Sequence, residues 1–348
     1  MQRENNFGIL RLLGAIVVII GHMYTLVGQP VPSIMWNTVN SLGVAIFFSI
    51  GGYLITKSWM REPKFIKYMV KRVFRIFPML IVCILFTIIV VGPLMTNLTM
   101  SEYFASPLTW SYLKNIALNI QHRLPGVFAE NVCTGIVNGS IWCLPVEFLL
   151  YLIIPVYLSI GFLLPEKFQK IYYAVVVLAV AVAGAVWTTW YYDTHYVFYN
   201  MDFSQIMIIV PYYFMGSLVA SCKLEKLLNT QTAIILVIMS GGFQFLSAPF
   251  VYAVPYFVVP YVILSLALAE KPLFSKLNNI DISYGMFLFS YVIQQCLIQI
   301  WIQRGWECNV YVLTLLSVLL SMLAGWVGEK LVEKPMGKLC RRILQSKS

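Results

Sequence analysis

Long apolar runs that are nearly free of charge recur along the chain, separated by short polar segments. About 20 apolar residues, each rising 1.5 Å along a helix, cross the hydrocarbon layer of a bilayer, and ten runs are roughly that long. The pattern predicts an all-α integral membrane protein with about ten transmembrane helices. The seventh and eighth are separated only by a turn around Ala248 and Pro249, which favours a tight hairpin. The predicted spans are 8–28, 36–56, 77–96, 140–164, 171–190, 205–222, 232–248, 250–269, 282–302 and 309–329.

The basic residues are distributed unequally between the two sets of loops. If both termini are cytoplasmic, all of the 24 lysines and arginines except Lys114, Arg123 and Arg304 lie on the inner side. Cytoplasmic loops of membrane proteins carry the excess of Lys and Arg, so this asymmetry predicts the orientation. The first apolar run lacks a small-residue cleavage site, and we expect it to remain as the first helix.

Composition narrows the function classes. Of the 348 residues, 60% are hydrophobic and 11% charged, with a mean hydropathy of +0.80, whereas soluble domains carry about 25% charged residues. A soluble, disordered, collagen-like or disulfide-stapled chain is excluded. The net charge of +10 belongs to the inner loops, which indicates contact with anionic lipid and no nucleic-acid partner. The seven cysteines are scattered singly and no metal motif occurs, so we expect no metal.

His22 and Glu147 fall well inside predicted spans, where ionisable groups are expensive and mark candidate functional sites. His22 lies roughly 20 Å from the inner end of the first span, and Glu147 roughly 10 Å from the outer end of the fourth. An imidazole oriented by a carboxylate makes a general base suited to acyl transfer. The spacing agrees equally with a packing role, in which His22 bonds a backbone carbonyl and Glu147 bonds Trp142 or a tyrosine.

Three arginines lie at the predicted inner edge. Arg72 and Arg75 are three residues apart and share a helix face, so with Arg11 they could form a guanidinium site for phosphate. The alternative is ordinary snorkelling of basic side chains to the inner interface, which we favour for Lys64, Lys67 and Lys71.

Six short motifs follow one another through nearly the whole chain. They are Arg11 with His22 eleven residues later, Gly43–Ile55, Arg72-x-x-Arg75 running to Pro78, Asn138–Glu147 with Tyr151 and Pro155, Asp281–Gly285, and Val332–Pro335. In this order they resemble the signature elements of the acyltransferase-3 family of membrane O-acyltransferases, in the branch that acts on polysaccharides.

This resemblance implies a reaction and a role for each motif. Family members use cytoplasmic acyl-CoA, most often acetyl-CoA, to acylate a hydroxyl of an extracytoplasmic or lipid-linked glycan. By resemblance, Arg11, Arg72 and Arg75 would hold the CoA phosphates. His22 would deprotonate the acceptor hydroxyl or take the acyl group itself, with Glu147 orienting it. The residues implied for substrate binding are Asn138, Trp142, Tyr151 and Tyr284.

The chain departs from the family pattern at four positions. Gly8 stands where many members have an acidic residue, and Gly51 where a serine is usual. Phe287 replaces a tyrosine of a late motif, and Ser290 replaces its histidine. None of these changes removes the proposed base or the arginine pair, but they bear on the choice of acceptor. They also leave open a catalytically inactive structural subunit.

We therefore expect a multi-pass protein of the bacterial inner membrane that O-acetylates a surface or lipid-linked polysaccharide. Residues 1–348 are expected to form one polytopic domain with no fused extracytoplasmic domain. The alternative from another class is a transporter or exporter of a glycan or small solute, because buried His and Glu also suit proton-coupled transport.

Overall fold

A computed structural model of the protein describes residues 5–194, 196–240, 250–269 and 281–345. Helices dominate these ranges, and the strands form only two short hairpins, β1 with β2 and β3 with β4. The strands are β1 Ser33–Ile34, β2 Asn37–Thr38, β3 Val197–Phe198 and β4 Met201–Asp202. The α-helices are α1 Phe7–Leu26, α2 Val39–Arg61, α3 Phe65–Phe86, α4 Gly92–Met95, α5 Met100–Ala105, α6 Pro107–Ser111, α7 Cys143–Leu163, α8 Glu166–Trp190, α9 Phe203–Ser221, α10 Thr230–Ser240, α11 Phe250–Ala267, α12 Ser283–Gln303, α13 Val310–Gly328 and α14 Lys334–Gln345.

Eight helical segments of the described chain are long and apolar enough to cross a membrane, which confirms an all-α membrane protein. The shorter apolar helices α10 and α11 fall at the seventh and eighth predicted spans, so the count of ten stays a prediction. The predicted turn at Ala248 and Pro249 lies outside the described residues. The eight long segments are Phe7–Leu26, Val39–Arg61, Phe65–Met95, Cys143–Leu163, Glu166–Trp190, Phe203–Ser221, Ser283–Gln303 and Val310–Gln345.

Two helix boundaries differ from the predicted spans in a way that affects the site. Helix α3 begins at Phe65, well before residue 77, because a helix continues through basic residues that an apolar span excludes. Helix α7 begins at Cys143, so Trp142 lies in the turn before it rather than inside a span. Pro145 favours this late start, since proline in the first turn of a helix costs no intrahelical hydrogen bond.

The described chain folds as two compact units. The first consists of Met1–Gly14, Ser33–Met69 and Val146–Asp281, and the second of Ala15–Pro32, Val70–Pro145 and Ile282–Ser348. Both draw on α1, α3 and α7, because each of these helices passes from one unit into the other. The prediction of a single domain remains a prediction.

The first unit is built around a close approach of α2 to α9. A Cβ atom at Gly52 would lie 1.9 Å from the Tyr213 carbonyl oxygen, and one at Gly216 would lie 2.1 Å from the Ser49 carbonyl oxygen. Only glycine fits at these positions, as is common where membrane helices approach through small residues. A hydrogen bond of 2.6 Å between the hydroxyls of Thr56 and Ser217 joins the same two helices.

The second unit is built around α12, which packs on α13 through glycines and holds the long loop before α7. A Cβ atom at Gly285 would lie 3.0 Å from the α-carbon of Gly325. The Gln295 amide donates to the carbonyl oxygens of Cys133 at 3.0 Å and Ile136 at 2.8 Å, while Asn131 donates to Gln295 at 2.7 Å. The loop is therefore anchored to a buried, polar face of α12.

Candidate active site

His22 lies one turn before the end of α1, within the second unit. It is half-buried, and its ring meets the Tyr291 ring edge to face, with the centroids 5.2 Å apart. Its Nδ1 atom is buried and has no hydrogen-bond partner among the described residues. This nitrogen therefore does not bond a backbone carbonyl, as the packing alternative required, and it is available to a ligand.

Helix α12 supplies the polar surroundings of this region. The Gln294 amide is fully buried and donates to the carbonyl oxygen of Ile19, one turn before His22, at 2.8 Å. Its Oε1 atom is buried without a partner among the described residues. Ser290, which replaces the family's late histidine, donates to the Phe287 carbonyl oxygen at 3.0 Å. Gln294 therefore offers a free acceptor atom close to α1.

The segment from Asn138 to Ser140 also packs against α12. A Cβ atom at Gly139 would lie 2.6 Å from the Tyr291 ring, so a side chain there would displace the ring that contacts His22. The Asn138 amide donates to the Leu288 carbonyl oxygen at 2.9 Å and accepts from the Ser140 backbone N–H at 3.0 Å. Asn138 thus fixes the loop to α12 through both ends of its amide.

Glu147 and Tyr151 lie one turn apart on α7 and belong to the first unit. The Tyr151 hydroxyl donates to Glu147 Oε1, and Tyr151 is buried while Glu147 is half-buried. The tyrosine partner that sequence reasoning left open for Glu147 is therefore Tyr151. His22 belongs to the other unit, and an orienting role for Glu147 remains a prediction.

Arg75 of the arginine motif contacts an acidic and an aromatic side chain. Its Nη1 atom donates to Glu333 Oε2 at 2.6 Å, and its guanidinium lies 5.2 Å from the centroid of the Tyr284 ring. The Tyr284 hydroxyl donates to the Ile76 carbonyl oxygen at 2.8 Å, which holds the ring in place. Arg72 precedes Arg75 by three residues on α3, so the predicted shared helix face is present.

A π-helical turn, Glu329–Glu333, joins α13 to α14 and sets the direction of Glu333. Such turns occur frequently at functional sites because they re-aim a side chain within a continuous helix. At this turn Glu329 bonds Lys334 at 3.3 Å, while Glu333 pairs with Arg75.

Arg11 forms an ion pair in the first unit, where its Nη1 atom lies 3.1 Å from Asp281 Oδ2. The start of α1 is fixed nearby, because the backbone and side-chain amides of Asn6 donate to the carbonyl oxygens of Ala267 and Leu266, each at 2.8 Å. Eleven residues make three turns, so Arg11 and His22 leave α1 in nearly the same direction.

Sequence reasoning missed Tyr291, Gln294, Glu333 as the partner of Arg75, and Asp281 as the partner of Arg11. A signal for Gln294 was present, since the predicted span 282–302 contains three glutamines, and uncharged polar residues in a span often bond across helices. His122, in the loop before α7, is half-buried; burial first, and then the charge of Arg123, lower its pKa.

The described residues contain no group of three His, Cys, Asp or Glu side chains arranged to hold a metal ion. Among the titratable groups that could act on a substrate are the half-buried imidazole of His22 and the arginines paired with carboxylates. The fold and this site together define a multi-pass helical membrane protein with a candidate base and candidate anion-binding side chains.

Comparison with known proteins gives the family. The family model described as an acyltransferase domain, acyltransferase-3, matches residues 4–328, and the chain belongs to this family. It is 38% identical to an O-acetyl transferase of Shigella phage Sf6 over 154 residues, which are 44% of this chain and 45% of the phage protein. It is 26% identical to nodulation protein 10 of Rhizobium leguminosarum bv. viciae over 97% of this chain and 94% of that one. No solved structure matches the chain.

Proposed function

We propose that this protein transfers an acetyl group from acetyl-CoA to a hydroxyl of a cell-surface or lipid-linked polysaccharide, in the bacterial inner membrane with both termini in the cytoplasm. Membership of an acyltransferase family and similarity to a phage protein named O-acetyl transferase support acyl transfer. The observation that carries the proposal is His22, whose buried Nδ1 atom has no partner in the described chain. A buried polar atom without a partner costs about 1–3 kcal/mol, which a bound substrate would offset.

The donor is held by arginines in this proposal. A guanidinium presents five N–H donors in a fork that matches phosphate, and here Arg75 pairs with Glu333 and Arg11 with Asp281. With Arg72, these side chains would bind the phosphates of acetyl-CoA at the inner face. Tyr284 would support the donor side, because its ring lies against the guanidinium of Arg75.

His22 acts as the general base. It takes the proton of the acceptor hydroxyl while the hydroxyl oxygen attacks the thioester carbonyl carbon. The carbon–sulfur bond then breaks, and the proton held by His22 passes to the CoA sulfur, leaving an ester on the glycan and free CoA. Glu147, Tyr151 and Trp142 would line the acceptor side, and Asn138 would shape it by holding the loop on α12.

The test is transfer of radiolabelled acetyl groups by purified protein in lipid nanodiscs. Wild-type protein should bind acetyl-CoA saturably and release CoA slowly through hydrolysis. His22→Ala should keep donor binding but lose hydrolysis and transfer by about 10²- to 10⁴-fold, the usual contribution of a positioned general base. His122→Ala is the matched control, because that histidine lies in an outer loop. Folded wild-type protein that binds no acetyl-CoA would contradict the proposal and favour the transporter.

The same protein preparation distinguishes a covalent route, in which His22 is acylated, from direct transfer to the acceptor. Protein denatured in acid after a brief incubation with labelled acetyl-CoA should carry no label if His22 acts only as a base. Label that depends on His22 would indicate that the imidazole itself takes the acyl group.

A further inference from the structure

Gln294 on α12 is fully buried, yet only one end of its side-chain amide has a hydrogen bond. Its Nε2 atom donates to the Ile19 carbonyl oxygen of α1 at 2.8 Å, whereas its Oε1 atom has no partner among the described residues. A backbone carbonyl oxygen accepts only from the NH₂ end of an amide, so this bond fixes which end faces Ile19. The unpartnered atom is therefore an oxygen, and its partner must be a hydrogen-bond donor.

The contacts between α1 and α12 place this oxygen near His22, within the second unit. Ile19 and His22 are three residues apart on α1 and share a helix face. The same spacing relates Tyr291 to Gln294 on α12. The two faces meet twice, since Gln294 bonds Ile19 and the Tyr291 ring lies 5.2 Å from the His22 ring, centroid to centroid. The Gln294 amide thus contacts α1 less than one helical turn, or roughly 5 Å, before His22.

Two buried polar atoms are left without a partner at this contact, His22 Nδ1 and Gln294 Oε1. Under the proposed function both accept hydrogen bonds, because the base receives the proton of the acceptor hydroxyl. An unpartnered buried acceptor is unfavourable, so a ligand that satisfies both atoms is favoured. Gln294 has no exposed surface, whereas His22 is only half-buried, so a ligand reaches the amide past the imidazole. Such a ligand must carry two donors close together.

Of the two reactants, the glycan carries such donors at its reacting atom. Acetyl-CoA has no O–H or N–H group beside the thioester, and its nearest N–H is two carbons beyond the sulfur. A sugar residue instead carries further hydroxyls, often on the carbon next to the one that reacts. We propose that Gln294 Oε1 accepts a hydrogen bond from this neighbouring hydroxyl, so that the protein acylates one hydroxyl of a vicinal diol, an inference that rests on the proposed function. Gln294 then determines which acceptors are used.

The experiment uses acceptors of known structure with acetyl-CoA as donor and full-length protein in lipid nanodiscs. Cyclohexanol carries one ring hydroxyl, and cis- and trans-1,2-cyclohexanediol add the neighbouring one. Wild-type protein should acetylate the better diol about three- to tenfold faster per hydroxyl than cyclohexanol, as expected for one neutral hydrogen bond. Gln294→Met keeps a side chain of similar length without the amide and should acetylate both at the same rate. Its affinity for acetyl-CoA and its hydrolysis of acetyl-CoA should stay at the wild-type values.

Gln299→Met is the matched control, because Gln299 is also a buried glutamine of α12. Its amide donates to the Met95 carbonyl oxygen at 3.0 Å, and its Oε1 atom likewise has no partner in the described chain. The substitution removes the same groups, but its partner belongs to α4 rather than to α1. This variant should therefore keep the wild-type preference for the diol.

The other outcomes contradict the role of Gln294 in different ways. If wild-type protein hydrolyses acetyl-CoA but acetylates neither diol faster than cyclohexanol, or if Gln294→Met keeps the preference, this role is wrong while the proposed function stands. Weaker acetyl-CoA binding in Gln294→Met would assign the oxygen to the donor instead, and an equal loss of hydrolysis and transfer would make the residue structural. If wild-type protein neither binds nor hydrolyses acetyl-CoA, the proposed function is wrong as well. Elution of each variant at the wild-type volume in size-exclusion chromatography excludes misfolding as the cause.

Discussion

Two regions of the second unit differ in whether their polar side chains have partners. Arg75 has a counter-ion at 2.6 Å and an aromatic ring beneath its guanidinium. His22 and Gln294 each keep a buried polar atom without a partner in the described chain. A charge that is partly removed from water needs a counter-charge at all times, whereas a neutral polar atom can remain unpaired at a cost of about 1–3 kcal/mol.

Under the proposed function, the two regions therefore contribute to different steps, donor binding at Arg75 and acyl transfer at His22. At Arg75 the donor phosphates must compete with Glu333, so binding there is an exchange of anions. At His22 a substrate hydroxyl meets an unpaired atom and displaces no protein partner. Substitutions at the first region should therefore alter donor affinity, and those at the second should alter turnover.

Among substitutions around Arg75, we expect Arg75→Ala to have the largest effect on donor binding. The KM for acetyl-CoA should rise by about 10- to 100-fold, because a charge-assisted contact of about 1.5–3 kcal/mol is lost, while kcat at saturating donor changes little. Steady-state kinetics over a range of donor concentrations measure both. Lys64→Ala, at an exposed lysine just before α3, is the control. An unchanged KM would remove Arg75 from donor binding.

A second substitution near Arg75 should change donor affinity less, and in the opposite direction. Glu333→Gln keeps the size of the side chain and removes the competing charge, so donor affinity should increase by about three- to tenfold. Titration with acetyl-CoA at constant ionic strength measures the change. Glu329→Gln, whose carboxylate bonds Lys334 instead, should alter affinity less. Weaker binding in Glu333→Gln would show that the glutamate positions Arg75 rather than competing for it.

In the second region, Tyr291→Leu should lower kcat by about three- to tenfold with little change in donor affinity. The ring packs edge to face on His22, and such aromatic pairs contribute about 0.5–1.5 kcal/mol beyond their buried area. Tyr291→Phe preserves the ring and should stay near wild-type turnover. Equal losses in both variants would assign the effect to the hydroxyl instead of the ring.

The smallest expected effect concerns the pH dependence of the loop before α7. Burial and the charge of Arg123 lower the pKa of His122 below its usual value of about 6.5. The unfolded loop therefore binds more protons than the folded loop, and local stability is lost as pH falls below this value. Amide exchange of residues 119–137, corrected for intrinsic rates, should accelerate between pH 7 and pH 5. His122→Gln should remove the part due to this histidine, and an identical acceleration in the variant would contradict the assignment.

Sequence reasoning was most successful where one physical constraint acts alone. Apolar length predicted the helical membrane class, which the structure confirms, because the hydrocarbon layer demands it. The same criterion failed for the lower part of α3, since helical backbone does not stop where apolar residues stop. The motif residues Arg11, His22, Arg72 and Arg75 could be selected because charge is rare in this chain.

The partners of these residues could not be predicted. Asp281 pairs with Arg11 and Glu333 with Arg75 across more than two thirds of the chain, and a π-helical turn sets the direction of Glu333. No periodicity in the sequence encodes such pairings, because they depend on which helices become neighbours.

The sequence by itself thus determined that this protein resides in a lipid bilayer, that it is helical, which family it belongs to and which few side chains are candidates for its chemistry. Only the tertiary structure decided which of those groups are neutralised and which are left unpaired. The physical reason is that hydropathy is a property of each residue in turn, whereas the partner of a polar atom is a property of two segments brought together by packing.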